Sequence, residues 1–304
     1  MHDVIKFLFC RKTNRPMLAH NLLFLVFSLF SITTNAEIIE INDISEIRNK
    51  FVELQKNYQS SDILVLFSIK DVILKPLNPE FKGTSKKNLT PLFKRLLANV
   101  KMDNFKYFDE IVITNYKHGL LDESIPLLIK EIMDNGAPVI GINGFITGNF
   151  NKIERFEVWL DQYLNKFKIN FSDSYKENND ITFDKLKSFT GTYPVFYNGI
   201  LNCNKLPETQ VFLYFLTKVI IAVPKVIIVV SNNVDNLHRF EMEIRSYTND
   251  IAFIGYSYTE DTEAEQVEVK DKDIIKIWTD LIDKINNVKR INVPIKLSDD
   301  PYDN

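Results

Sequence analysis

Three short apolar stretches constrain this chain more than anything else in it: Ile63 to Phe67, Pro138 to Ile142, and Lys225 to Val230. Each is rich in Val, Ile and Leu, lacks the polar alternation of a half-exposed strand, and is too short for a buried helix. Each therefore reads as a strand covered on both faces, the situation of a parallel sheet. The intervening segments carry apolar residues at three- and four-residue spacings. Ile44 to Tyr58 predicts a helix through Ile44, Ile47, Phe51 and Leu54. Asp122 to Asn135 predicts another, ended by Gly136 just beyond its C-cap. Further helices are expected over Asn151 to Phe167, Leu206 to Ile221 with Pro207 near its start, Val234 to Tyr247, and Lys272 to Val288. Ile251 to Gly255 reads as a further short strand. Strands alternating with helices imply an α/β fold with a parallel sheet layered on both sides.

The first 36 residues read as an export leader. Lys6, Arg11, Lys12 and Arg15 precede an apolar run from Leu22 to Ile32, and Thr34-Asn35-Ala36 suits a cleavage site. The apolar run is too short to span a bilayer, although an uncleaved leader would be a route to a membrane. The expected location is outside the cytoplasm, in the periplasm or beyond. Without the leader the formal charge of −3 deepens to about −6. That excess of acid disfavours nucleic acid and anionic lipid, both of which need clustered positive charge. Of the two cysteines, Cys10 lies in the leader, so Cys203 has no intrachain partner and the exported chain must rely on its apolar core. Residues 37–304 are expected to form one domain.

The ends of the apolar stretches carry the chemical information. The first leads into Ser68-Ile69-Lys70-Asp71-Val72, and the last into Ser231-Asn232-Asn233-Val234-Asp235-Asn236-Leu237. The middle one ends at Asn143, and Tyr197-Asn198-Gly199-Ile200-Leu201 precedes Asn204-Lys205. In this order the segments resemble the haloacid dehalogenase-like (HAD) superfamily of phosphatases over about Asp62 to Thr259, most closely an exported branch from intracellular bacteria. The resemblance implies a three-layer Rossmann-like core with a helical cap insertion, assigned to residues 75–119, over the pocket. It also implies that Ser68 stands where the superfamily has its nucleophilic Asp, Lys70 where it has the general acid/base Asp, and Val72 where it has Thr. Ser231 and Asn232 replace the acidic pair that holds magnesium, and Asn143 takes the place of the phosphate-binding Thr or Ser. Lys205 matches the phosphate-binding Lys, and Asn236 and Leu237 match the words that follow the acidic pair.

These replacements remove the expected reaction. A serine hydroxyl attacks only beside a base, and magnesium needs hard oxygen ligands, whereas an ammonium group has no lone pair to offer. No catalytic residue, metal or cofactor is therefore expected, although active relatives use magnesium. Ser68, Lys70, Asn143 and Lys205 are candidates for holding a small anion without metal; surface lysines facing water are the ordinary alternative. The expected role is that of a pseudo-phosphatase, a binding or interaction module for such an anion or for another protein. The rival reading is a hydrolase that uses Ser68 with Lys70, which a spacing of two places on one face of a strand. A relic without selected function is a third.

Other signals carry little weight. His238 reads as a solvated helical residue, and the acids of Asp109-Glu110, Asp122-Glu123 and Glu260 to Glu268 as solvated or favoured by helix dipoles. Tyr193, Phe196, Tyr197, Phe212, Tyr214 and Phe215 read as core and pocket wall. Ile111-Val112-Ile113, within the assigned insertion, is strand-like, and Lys75 to Lys87 reads as a loop before a helix from Leu89 to Lys101. Asn88-Leu89-Thr90 fits a glycosylation triplet, a pattern common by chance. The acids from Ser298 onward read as a frayed tail.

Overall fold

The computed structural model describes residues 37–82, 98, 100–259 and 270–289. The leader, the glycosylation triplet, most of the expected Leu89 to Lys101 helix, the Glu260 to Glu268 acids and the tail lie outside the described residues. In chain order the first elements are β1 (Glu37–Ile41), α1 (Ser45–Leu54), β2 (Ile63–Ser68) and β3 (Leu74–Pro76). Next come α2 (Pro79–Lys82), α3 (Met102–Phe105), α4 (Phe108–Asn115), β4 (His118–Leu120) and α5 (Ile125–Asp134). They are followed by β5 (Val139–Asn143), α6 (Phe156–Asn165), β6 (Asp180–Thr182), β7 (Val195–Tyr197) and β8 (Ile200–Asn202). The chain continues through α7 (Glu208–Lys218), β9 (Val226–Ser231), α8 (Val234–Tyr247), β10 (Ala252–Tyr258) and α9 (Asp271–Asn286).

Every residue of β2, β5 and β9 is buried. Consecutive side chains of a strand point to opposite faces, so a fully buried strand must serve two cores at once. In β2, Ile63, Val65 and Phe67 join one core while Leu64 and Leu66 join the other. In β9 the same division puts Val226, Ile228 and Val230 on one face and Ile227 and Val229 on the other. The first core is closed by α1, α5, α6 and α9 through residues such as Phe51, Leu128, Leu160 and Leu281, and the second by α7 and α8 through Phe212, Phe215 and Phe240. This is an α/β protein with three layers.

The sheet has eight strands in the order β1-β10-β9-β2-β5-β8-β7-β6. The six strands from β1 to β8 in that order are parallel, and β7 and β6 continue antiparallel, so the sheet is mixed rather than wholly parallel. The antiparallel end comes from a hairpin between β7 and β8, turned by Asn198 at φ +46° and Gly199 at φ +77°. An Asn-Gly pair with both φ values positive is the favoured two-residue hairpin turn, because its twist matches that of the strands. Beside this end the Phe196 and Phe215 rings lie 4.6 Å apart in the second core, where Phe212 meets Phe240 of α8 at 5.6 Å.

Several boundaries depart from the sequence expectation. The helix expected from Asn151 begins only at Phe156, because Phe150 and Ile153 bridge across a turn with Asn151 at φ +52°. The last parallel strand, expected to end at Gly255, continues to Tyr258, held on both sides by β1 and β9. The loop expected from Lys75 begins instead as part of β3, which pairs antiparallel with β4 to form a separate two-stranded ribbon. Ile111-Val112-Ile113 is helical, in α4, where its buried side face packs toward α9. The side chains of Thr114 and Asn115 bond back to the carbonyls of Glu110 and Ile111, closing the last turn of that helix. Tertiary packing here overrides the strand preference of β-branched residues. By contrast α5 follows its signals: Gly136 sits at φ +88° and Ala137 N–H bonds to Ile132 O at 3.3 Å, the pattern that satisfies terminal carbonyls.

The two glycines generate a contrast in stability. A Cβ on Gly199 would lie 2.2 Å from the carbonyl oxygen of Phe171, whereas at Gly136 the nearest atom is 3.9 Å away. Gly136→Ala should cost about 1–2 kcal/mol, the strain of a left-handed alanine alone. Gly199→Ala adds a backbone clash and should cost more than about 3 kcal/mol. Urea unfolding of the two variants checks the order, and equal losses would contradict it.

Candidate functional site

Parallel strands deliver their C-terminal ends to one edge of a sheet, where ligands of open α/β folds are ordinarily received. Here β2 lies between β5 and β9, so Ser68, Asn143 and Ser231, the final residues of these strands, meet at that edge. Together with Lys70 and Asn232 they line one cavity of about 650 Å³. Five of the six residues singled out in the sequence thus share a wall. Lys205 does not line it, and joins through Asp109, whose Oδ2 is 4.0 Å from its Nζ.

The local chain explains these positions. Past Ser68 the backbone makes one wide turn, with Leu74 N–H bonded to Ile69 O at 2.9 Å and Asp71 at φ +59°. That turn places Lys70 and Asp71 on the cavity before the chain enters β3. Ser231 Oγ accepts from Asn233 N–H at 3.2 Å, and Asn233 caps α8 by accepting from Asn236 N–H at 3.1 Å. Asn143 is already engaged: its Oδ1 accepts from Phe145 N–H at 2.9 Å and its Nδ2 donates to buried Asn202 at 3.0 Å. After β8, Asn204 and Lys205 both adopt positive φ, and their N–H groups bond to the carbonyls of Phe145 and Gly144. The lysine is thereby fixed beside the loop that follows β5.

What the two lysines face was not legible in advance. Asp109 and Glu110 open α4, and instead of facing solvent they reach the sheet edge. Lys70 Nζ is 2.6 Å from Asp109 Oδ1, and Lys205 Nζ is 2.7 Å from Glu110 Oε1. Glu110 is fully buried (0 % exposed) and also accepts the Ile146 N–H at 2.9 Å, while its Oε2 has no hydrogen-bond partner. Burial pushes the Glu110 carboxyl above its usual range, against the pull of Lys205 and of the Ile146 N–H. Burial draws the Lys70 ammonium down, but Asp109, Asp71 and Glu110 outweigh it and leave its pKa raised. Asp71 is pushed up by burial and by the nearby Asp109, despite the pull of Lys70.

Three more charged residues line the cavity. Glu208, the first residue of α7, accepts from Asn236 Nδ2 at 2.7 Å; burial raises its pKa, opposed by Asn236 and Lys70. Arg239 on α8 also lines the cavity, as does Asp235. The lining acids Asp71, Asp109, Glu208 and Asp235 outnumber the bases Lys70 and Arg239. The cavity is acidic despite the lysine at position 70. The Asp109-Glu110 pair, expected from the sequence to be solvated, is instead engaged by partners too far along the sequence for spacing to reveal them.

A divalent ion does not fit this set. Positions 68, 231 and 232 offer two hydroxyls and an amide, and position 70 offers an ammonium held in an ion pair, whereas magnesium requires hard oxygen ligands in a near-octahedral shell. Among the described residues no three His, Cys, Asp or Glu side chains are grouped to hold a metal. His238 is exposed on α8, 3.9 Å from Glu241, as expected. His118, in β4, is half-buried with Nδ1 3.0 Å from Tyr116 O, and burial lowers its pKa. It does not line the cavity that holds Ser68.

The buried pair gives a signed prediction. Removing Lys205 leaves Glu110 buried without its counter-charge, so Lys205→Met should cost about 3–5 kcal/mol at pH 7. A carboxyl with a raised folded-state pKa binds its proton more readily in the native chain. Its contribution is therefore fully present below the ordinary value of 4.5 and lost as pH rises through the folded-state value. The deficit of Lys205→Met should shrink on acidification toward that range, and Glu110→Gln added to it should restore most of the loss at pH 7. Urea unfolding across pH measures both; a pH-independent deficit would contradict the assignment.

Comparisons with known proteins agree on one family. The family model described as protein of unknown function (DUF2608) matches residues 40–289. An uncharacterized protein of Rickettsia felis is 37% identical over 292 residues, covering 92% of this chain and 97% of that protein. Uncharacterized proteins of Rickettsia conorii and Rickettsia typhi are 36% and 37% identical, over 92% and 90% of this chain and 97% and 94% of their own lengths. No solved structure matches the chain. With five-sixths of its length matched by one model and relatives aligned nearly end to end, the chain belongs to the DUF2608 family.

Proposed function

We propose that this protein is an exported, HAD-like scaffold that has lost phosphoryl transfer and serves as a metal-independent binding protein for a small molecule received at the sheet edge. The order of the strands supports the HAD-like reading: the segment ending at Ser68 is central, with the segments ending at Asn143 and Ser231 on either side. So does the ribbon of β3 and β4, which brackets α2, α3 and α4 within the stretch assigned to a cap. The basic and apolar leader from Met1 to Ala36 supports export.

One observation carries the loss of catalysis: the 2.6 Å pair between Lys70 and Asp109. For Lys70 to activate Ser68 it must be neutral, with a free lone pair on Nζ. Its carboxylate neighbours hold it protonated instead, with a pKa above the ordinary 10.5. The Ser-Lys hydrolase therefore lacks its base. The same pair bears on the ligand, because an anion reaches Lys70 or Lys205 only by displacing Asp109 or Glu110. A neutral or cationic molecule needs no such exchange.

The whole chain, assayed against aryl phosphates and aryl esters with and without magnesium beside Ser68→Ala, tests this reading. The expected result is no turnover above that of the variant in any condition. Magnesium-dependent phosphatase activity, or metal-independent turnover lost in Ser68→Ala, would overturn it.

A further inference from the structure

A second cavity of about 220 Å³ adjoins the first, and Lys70, Asp71, Asp109 and Phe145 belong to the walls of both. Its remaining wall is mostly apolar and aromatic, built from the assigned insertion and from α9. Phe108 and Trp278 stack there with ring centroids 6.0 Å apart, and Phe81 meets Trp278 edge-on at 6.1 Å. Val112 comes from the buried face of α4 and Leu74 from β3. An apolar cavity of about 150 Å³ accepts a benzene molecule, so this slot has room for one ring with a short substituent. Its mouth is charged: Asp71 and Asp109 face the Lys70 ammonium, the Lys205 ammonium 4.0 Å from Asp109 is matched by buried Glu110 at 2.7 Å, and Glu208 lies on the larger cavity within reach of Lys70.

We propose that the slot receives the ring-sized apolar group of a small organic cation whose ammonium rests against Asp71 and Asp109 at the junction of the two cavities. Burial of the ring removes apolar area from water, and the low-dielectric wall strengthens the attraction between the ammonium and the two carboxylates. The acidic excess leaves a second cation welcome beside Lys70. The same excess repels a carboxylate or phosphate presented on the same ring. The proposal rests on the binding reading above and adds the class of ligand.

Calorimetric titration of the whole chain with three probes tests it. 2-Phenylethylamine has ring and cation, 3-phenylpropionate has the ring with the opposite charge, and n-butylamine has the cation without the ring. The amine with the ring should bind at least tenfold more tightly than either of the others. Val112→Trp, which fills the slot, should weaken it at least tenfold. Asp71→Asn removes charge at constant size, and Asn tolerates the positive φ of that position, so this variant keeps the fold and should weaken the amine at least fivefold. Equal or tighter binding of 3-phenylpropionate, equal binding of n-butylamine, or no effect of Asp71→Asn would overturn the proposal. Absence of millimolar affinity for all three probes, in a chain that also shows no turnover, would remove the ligand assignment and leave the binding reading standing. Turnover lost in Ser68→Ala would remove the binding reading itself.

Discussion

Two ion pairs tie the α4 helix to the working edge of the sheet, and the character of the site follows from them. Glu110 brings a carboxylate into a fully buried position where it meets Lys205 and the Ile146 N–H. Asp109, one residue earlier, meets Lys70 just beyond the central strand. The two pairs differ in kind. Lys70 and Asp109 are 52% and 32% exposed, so their mutual attraction is screened and adds little to stability. Lys205 and Glu110 are 17% and 0% exposed, and breaking them strands a charge in the interior. The inner pair fixes where α4 sits; the outer pair sets the chemical state of Lys70.

The scaffold beneath is governed by the alternation of side chains in β2, β5 and β9. Because both faces of each strand are buried, a shift of one residue in register would exchange the two cores, which are filled by different helices. The register is thereby pinned, and with it the meeting of Ser68, Asn143 and Ser231 at one edge. The loop after β8 is pinned as well, since Asn204 and Lys205 bond to the carbonyls after β5. The turn after β2 and the loop after β8 hold the lysines, while α4 supplies Asp109 and Glu110.

Much of this was legible from residue patterns, and the reasons are local. The runs at Ile63, Pro138 and Lys225 are unambiguous because nothing polar interrupts them, and α5 and α8 carry regular apolar stripes with clear ends. The short strands β6, β7 and β8 leave no periodic mark because each is three residues long, although the Asn198-Gly199 pair is a hairpin signal in its own right. The run at Ile111 misled for the opposite reason: its β-branched residues favour strand, and only packing against α9 makes them helical. Among candidate site residues, the placement of Ser68, Lys70, Asn143, Ser231 and Asn232 on one wall agrees with the strand-end pattern. The roles of Asp109, Glu110 and Glu208 were invisible, because a carboxylate reaching across a fold leaves no mark in spacing. Lys70 and Lys205 alone suit an anion, and the acids from α4 and α7 reverse that charge balance.

The central claim is that Lys70 is, at neutral pH, a charged partner of Asp109 rather than a base for Ser68. Titration of the Lys70 side chain by NMR, in protein carrying ¹³C at the lysine ε-carbons and assigned with Lys70→Arg, measures this directly. The account predicts a pKa above the ordinary 10.5 that falls in Asp109→Asn. A Lys70 that titrates near neutral pH, or one indifferent to the loss of the Asp109 charge, would contradict it.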